Sequence, residues 1–248
     1  MRKVRKLMLA MMLAVLAVMV VGCSPEPDPN NGGDHGGNDT VIDHSGSIDG
    51  RDFVDLALPS GTLWATCNVG AESPEDQGNY FAWGETETKE MYDWKMYRYS
   101  TYDEDRYVLT KYCTNSFCGY HGMVDSLAVL EPVDDAARVH WGDQWRMPTA
   151  DEWRELIQNT TCELIVQNDV RGRLFTGSNG NSIFLPDTGF YLELNLICTG
   201  LGIYWTSSLQ TDAQVSAWSF HSDGEEFHIC GTYERSRGHC VRAVRSMQ

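Results

Sequence analysis

Metal- and redox-capable side chains crowd the C-terminal end of this 248-residue chain: His221, His228, Cys230, His239 and Cys240. Imidazole and thiolate are zinc ligands, and a thiol pair does redox chemistry when one member is exposed and acidified. The spacing matches no standard zinc pattern. Calcium wants several oxygen ligands converging, and the carboxylates here are scattered. No metal and no cofactor is therefore expected. Thiol chemistry has two candidate pairs. Cys230 and Cys240 are ten positions apart, whereas Cys113 and Cys118 are five apart, close enough to bridge a local loop as a disulfide. With Cys23 set aside, seven of the eight cysteines remain, an odd number that leaves at least one thiol without a partner in the chain. There is no Gly-x-Ser-x-Gly nucleophile elbow and no phosphate-cradling glycine loop. Leu185-Pro-Asp-Thr-Gly189 has the letters of a sortase signal, but no membrane segment or basic tail follows it.

Aromatic side chains offer a different chemistry, stacking and contact. Trp64, Trp83, Trp141, Trp145, Trp153, Trp205 and Trp218 mostly sit inside the motif segments set out below, and core packing is their commoner role. Tyr92, Trp94, Tyr97, Tyr99, Tyr102, Tyr107 and Tyr112 lie in a polar stretch and are the better candidates for an exposed contact surface, with Tyr97 and Tyr99 taken as ligand contacts.

The elements that must carry these residues are mostly short strands. Residues 53–58 alternate and meet Pro59-Ser60-Gly61, a strand followed by a turn. Residues 63–67 and 80–83 are further strand-sized pieces. Residues 85–125 are polar, tyrosine-rich and weakly periodic, and read as a long surface excursion. Residues 133–141 predict a short helix. The clearest helix is Ala150–Asn159: Thr149 and Glu152 form a capping box, and Trp153, Leu156 and Ile157 share one face. Gly177-Ser-Asn-Gly-Asn181, between residues 172–176 and 182–185, predicts a hairpin. Strand-sized pieces follow at 204–209, 217–221, 227–230 and 240–245.

Seven ordered segments resemble a single family. They are Val54-Asp-Leu-Ala-Leu-Pro-Ser-Gly-Thr-Leu-Trp-Ala-Thr-Cys-Asn-Val-Gly-Ala71, Tyr80-Phe-Ala-Trp-Gly-Glu85, Asp134-Asp-Ala-Ala137, Trp145-Arg-Met-Pro-Thr149, Asn181-Ser-Ile-Phe-Leu-Pro186, Tyr204-Trp-Thr-Ser-Ser208 and Cys240-Val-Arg-Ala-Val-Arg245. The chain resembles the Fibrobacter major paralogous domain group, abundant in Bacteroidetes. The resemblance implies an α+β, C-type lectin-like domain with twisted antiparallel sheets, one or two helices and long loops. That fold also holds the formylglycine-generating enzymes and the variable proteins of diversity-generating retroelements, so it implies no reaction by itself. In the variable proteins the C-terminal segment displays diversified binding residues. By that likeness Phe227, His228, Tyr233, Arg235 and His239 are ligand-binding candidates, between framework residues such as Trp205 and Trp218. The rival expectation is a formylglycine-type oxidoreductase working through a cysteine pair.

The N-terminus says where such a domain would work. Arg2, Lys3, Arg5 and Lys6 precede an apolar run of about fifteen residues, too short for a comfortable membrane span. The run ends in Val20-Val21-Gly22-Cys23, which resembles the lipobox of lipoprotein signal peptides and implies diacylglycerol on Cys23. Ser24 at the next position implies the outer membrane, and Glu26 with Asp28 resembles a surface-export signal. Asp39-Thr40-Val41 resembles a short O-glycosylation motif with Thr40 as acceptor. The expected organisation is a signal peptide at 1–22, a lipidated flexible linker at 23–50, rich in Pro, Gly and Asn, and one domain at 51–248. Removing the signal leaves 15 of the 19 cations against 35 carboxylates, a net charge of −20. A chain this acidic repels phosphate backbones, so no nucleic-acid partner is expected. The expected partner is a protein or glycan ligand at the cell surface, bound without catalysis.

Overall fold

The computed structural model describes residues 43–224 and 226–247. The expectations placed on Cys23 and Thr40 lie outside the described residues.

Tight turns organise the chain from its first described residues. Strands β1 (Gly46–Ile48) and β2 (Arg51–Asp55) are joined by Asp49-Gly50, both at positive φ. A twisted two-residue hairpin requires that conformation, and Asp-Gly adopts it readily. The Asp55 carboxylate accepts from the His44 amide at 3.1 Å, and the Asp55 amide donates to Ser45 Oγ at 2.8 Å. This corrects the expected boundary: the end of the stretch taken as linker folds as an edge strand, because turn chemistry and Asp55 hold it.

β3 (Thr62–Asn68) follows β2 antiparallel, and β4 (Tyr80–Phe81) enters a second sheet. The polar excursion is more ordered than its weak periodicity predicts. It contains a hairpin of β5 (Ser100–Asp103) and β6 (Arg106–Leu109), turned by Glu104 and Asp105, both at positive φ.

The two helices match their sequence signals. α1 (Ala136–Trp141) starts where the Asp135 side chain accepts from the Arg138 amide. α2 (Ala150–Asn159) carries the full capping box, with Thr149 Oγ1 accepting from the Glu152 amide and Glu152 accepting from the Thr149 amide. α2 buries Ala150, Trp153 and Leu156. The Trp153 ring stacks on Phe220 at 4.6 Å and meets Trp64 edge-on at 4.8 Å, so the helix ties elements far apart in sequence.

β7 (Thr161–Gln167), β8 (Val170–Thr176) and β9 (Ser182–Pro186) form a three-stranded sheet. Its β8–β9 loop is the expected Gly177–Asn181 turn, closed by the Gly177 amide on the Asn181 carbonyl. A small ribbon, β10 (Phe190–Leu192) with β11 (Asn195–Ile197), comes next. β12 (Gly202–Leu209), β13 (Ser216–Asp223), β14 (Glu226–Glu234) and β15 (His239–Cys240) build a five-stranded sheet ordered β14-β13-β12-β15-β4. β16 (Arg242–Ser246) returns to β3, completing a sheet ordered β1-β2-β3-β16. Among the described residues every strand pair is antiparallel except β12 with β15. The architecture is antiparallel sheet with two α-helices.

Tryptophan fills the core. Trp64, Trp83, Trp145, Trp153 and Trp205 are wholly buried. Trp83 Nε1 donates to the Thr206 carbonyl and Trp205 Nε1 to the Phe81 carbonyl, each at 2.8 Å, which pins β12 to the β4 segment. Among the described residues no helix is long and apolar enough to cross a membrane.

Candidate functional site

The excursion is anchored by one buried carboxylate. Tyr112 Oη donates to Asp134 Oδ2 at 2.6 Å, Lys111 Nζ reaches the same oxygen at 2.6 Å, and Tyr99 Oη donates to Asp134 Oδ1. Burial raises the Asp134 pKa, but the hydrogen bonds from Lys111, Tyr112 and Tyr99 outweigh it and hold the carboxyl below its usual range. Tyr97 Oη donates to the Trp83 carbonyl and Tyr92 Oη to the Tyr80 carbonyl. Tyr92, Tyr97, Tyr99 and Tyr112 are all buried. This corrects the choice of Tyr97 and Tyr99 as ligand contacts: their rings and hydroxyls pack the excursion down.

With those four inside and Trp94 half-buried, the exposed aromatics of the excursion are Tyr102, Tyr107, Phe117 and Tyr120. Tyr102 is 62% exposed, Tyr107 41%, and Phe117 72%. Tyr102 and Tyr107 are directly opposed in the β5–β6 register, with rings edge-on at 5.2 Å. Phe117 projects from a turn in which Asn115 Oδ1 accepts from the Phe117 amide and the Asn115 carbonyl accepts from the Cys118 amide. The Arg106 guanidinium lies over the Phe117 ring at 4.4 Å. Two grooves meet at Tyr107. An apolar one of about 360 Å³ is lined by Trp94, Arg106, Tyr107, Leu109, Phe117, Cys118 and Val215. A more polar one of about 600 Å³ is lined by Lys95, Ser100, Thr101, Tyr102 and Tyr107. The far wall at Val215 is held by its neighbour Gln214, which accepts from the Thr114 amide at 2.8 Å and donates to Thr114 Oγ1 at 2.7 Å. The sequence singled out Tyr102 and Tyr107 but missed Phe117, Arg106 and Val215. The Asn115-Ser-Phe-Cys118 turn, with one large apolar residue in polar surroundings, was the legible signal for Phe117.

The C-terminal candidates divide. His228 is exposed and sits opposite His221 in the β13–β14 register. Phe227 is half-buried, its ring edge-on to Phe175 at 5.9 Å, and Tyr233 is half-buried against Phe190 at 5.1 Å. Arg235 and His239 are corrections, since both are wholly buried. Arg235 Nη1 donates to the Tyr112 carbonyl at 2.8 Å, and its guanidinium lies 5.4 Å from the Trp83 and Tyr97 ring centres. It is a peg between the last strands and the excursion. His239 stacks on Trp205 at 3.7 Å, with both ring nitrogens unpartnered among the described residues. Burial, then the Arg237 charge, holds its pKa well below the usual histidine value. Sequence order put these two beside variable-looking neighbours, yet the chain turns inward after β14.

No family model, curated protein or solved structure matches this chain.

Neither candidate thiol pair is bonded. All seven cysteines from Cys67 to Cys240 are free. The expected Cys113–Cys118 bridge is absent; the buried Cys113 thiol instead donates to the Asn115 carbonyl at 3.0 Å. Cys240 is wholly buried, and burial pushes its thiol far above the usual range, the opposite of a reactive thiolate. Among the described residues no group of three or more His, Cys, Asp or Glu side chains could hold a metal ion. Asp187 and Thr188 of the sortase-like string are buried.

A third groove of about 320 Å³ beside α2 is lined by Asp135, Arg138, Arg146, Glu152 and their neighbours. Its charges already have partners. Arg146 grips Glu152 through both Nη atoms, and Asp135 accepts from the Met147 and Arg138 amides. A groove wired internally in this way supports the helix N-terminus. In the β5–β6 grooves, by contrast, Lys95 and Arg106 take part in no ion pair among the described residues.

Proposed function

We propose that this protein is a lipid-anchored, surface-facing outer-membrane protein whose C-type lectin-like domain binds a protein or glycan ligand without catalysis. The contact surface is the aromatic face of the β5–β6 ribbon. The observation that supports this most directly is the cluster of Tyr102, Tyr107 and Phe117 around two adjoining grooves, while every other tyrosine from Tyr92 to Tyr112 is buried. Monomer surfaces seldom keep contiguous large aromatics exposed without a use, and aromatic and arginine side chains dominate contact energetics. The buried, basic Cys240 thiol weighs against the oxidoreductase alternative.

Tyr107→Ala and Phe117→Ala test the reading. Phe117 is 72% and Tyr107 41% exposed, so Phe117→Ala should keep wild-type stability within about 0.5 kcal/mol and Tyr107→Ala within about 1 kcal/mol. Ligand or partner capture on cells should fall about tenfold or more. Unchanged capture by the double variant, with melting also unchanged, would remove this face from the proposal. A second patch on β14, with His228 exposed and Phe227 and Tyr233 half-exposed, is compared by the same assay.

A further inference from the structure

The charge on the two β5–β6 grooves is the reverse of the charge on the chain. Asp and Glu outnumber Lys and Arg by 35 to 19, yet neither lining contains a carboxylate. Each contains one cation, Arg106 in the apolar groove and Lys95 in the polar one. Both are exposed, and among the described residues neither takes part in an ion pair. Arg106 is held over the Phe117 ring, so its planar fork is already oriented. Asp103, directly opposite Arg106 in the β5–β6 register, and the turn carboxylates Glu104 and Asp105 line neither groove, and Asp103 forms no ion pair with Arg106.

Size and surface chemistry narrow the occupant. Volumes of about 360 and 600 Å³ fall in the range of small-ligand sites, roughly 300–1,000 Å³. A protein partner would need a continuous footprint of roughly 800 Å² on this side. The groove walls at Tyr102, Tyr107 and Phe117 present aromatic rings in more than one plane, and the electron-rich ring face attracts the weakly positive C–H face of a pyranose. The Thr101, Tyr102 and Tyr107 hydroxyls and the Lys95 ammonium supply donors along the second groove. Two grooves joined at one aromatic residue suit a ligand of at least two rings.

We infer that the paired grooves bind an acidic oligosaccharide. Its carboxylate is taken by Arg106 or Lys95, and its sugar faces lie on Tyr107 and the neighbouring rings. This rests on the β5–β6 face being the binding surface, and it names the class of ligand. A bidentate Arg–carboxylate contact supplies both strength and orientation, while the ring contacts hold the neutral part of the ligand.

The test uses the full-length protein in detergent, titrated with trigalacturonate, its methyl ester, sialyllactose and lactose. Binding is expected to at least one of the two acidic sugars. Where trigalacturonate binds, its methyl ester should bind about tenfold more weakly or not at all, since only the charge has gone. A Lys95→Gln/Arg106→Gln double variant should lose acidic-sugar binding by at least about tenfold while keeping the wild-type melting temperature. Tyr107→Ala should lose it as well. Equal binding of charged and neutral sugars, abolished by Tyr107→Ala, would overturn the acidic assignment and leave the binding face standing. No binding of any of the four overturns the saccharide inference, and partner capture on cells by the Tyr107 variant then judges the face separately. Acidic-sugar binding that survives both sets of variants would place the site elsewhere and overturn the inference.

Discussion

The Arg235 guanidinium is buried, in no ion pair among the described residues, held by the Tyr112 carbonyl at 2.8 Å and by the Trp83 and Tyr97 rings. Arginine tolerates this because its charge is delocalised and its donors fork toward carbonyls. Arg235→Ala should take that donor from the Tyr112 carbonyl and remove the cation–π contacts, costing about 3 kcal/mol in denaturant melts. His228→Ala, on an exposed side chain, should cost under about 0.5 kcal/mol. A harmless Arg235→Ala would restore that residue to the surface. His239 gives a pH signature. Burial holds its folded pKa well below the ordinary histidine value of about 6.5, so the unfolded chain takes up the proton first. Its stabilising contribution is complete above about pH 6.5 and is lost as pH falls, by up to about 1.4 kcal/mol per pH unit. His239→Leu should flatten stability between about pH 6.5 and 5 by close to one proton's slope, measured as urea midpoints across that window. An unchanged slope would assign the acid sensitivity to other groups.

At the scale of elements, α2 separates a local contribution from a long-range one. Thr149→Ala removes one cap hydrogen bond and should cost about 1 kcal/mol. Trp153→Ala empties the space between Trp64 and Phe220 and should cost about 3–5 kcal/mol. Equal losses in matched denaturant melts would mean that the helix is held by its cap rather than by packing. The capping box was legible because it spans only a few residues. The β1–β2 and β5–β6 hairpins were not expected, although Asp49-Gly50 is a strong turn signal. Pro, Gly and Asn around the first and a polar, weakly periodic composition around the second hide them, and strand pairing overrides such composition when register and turn agree.

On the scale of the whole molecule, the proposed anchor and the folded unit test separately. Cys23→Ser removes the only thiol that diacylglycerol could take in the proposed signal, and the variant should leave the membrane fraction or keep its leader. Its melting temperature should match wild type, since residues 43–247 hold the described contacts; a processed, membrane-bound variant would refute the anchor. Elements written in short-range chemistry were legible beforehand: the α2 cap, the Gly177–Asn181 turn, alternating strands and tryptophans among apolar neighbours. Their signals lie within one turn of helix or one hairpin, where spacing alone dictates geometry. The functional surface was not legible in that way. Tyr97 and Tyr99 look like Tyr102 and Tyr107 in type and setting, yet the first two are buried and the second two exposed. Asp134 makes the difference for Tyr99, and Trp83 and Arg235 for Tyr97. Those partners lie 14 residues or more away along the chain. Burial is set by such distant pairings, which residue type and local period do not encode.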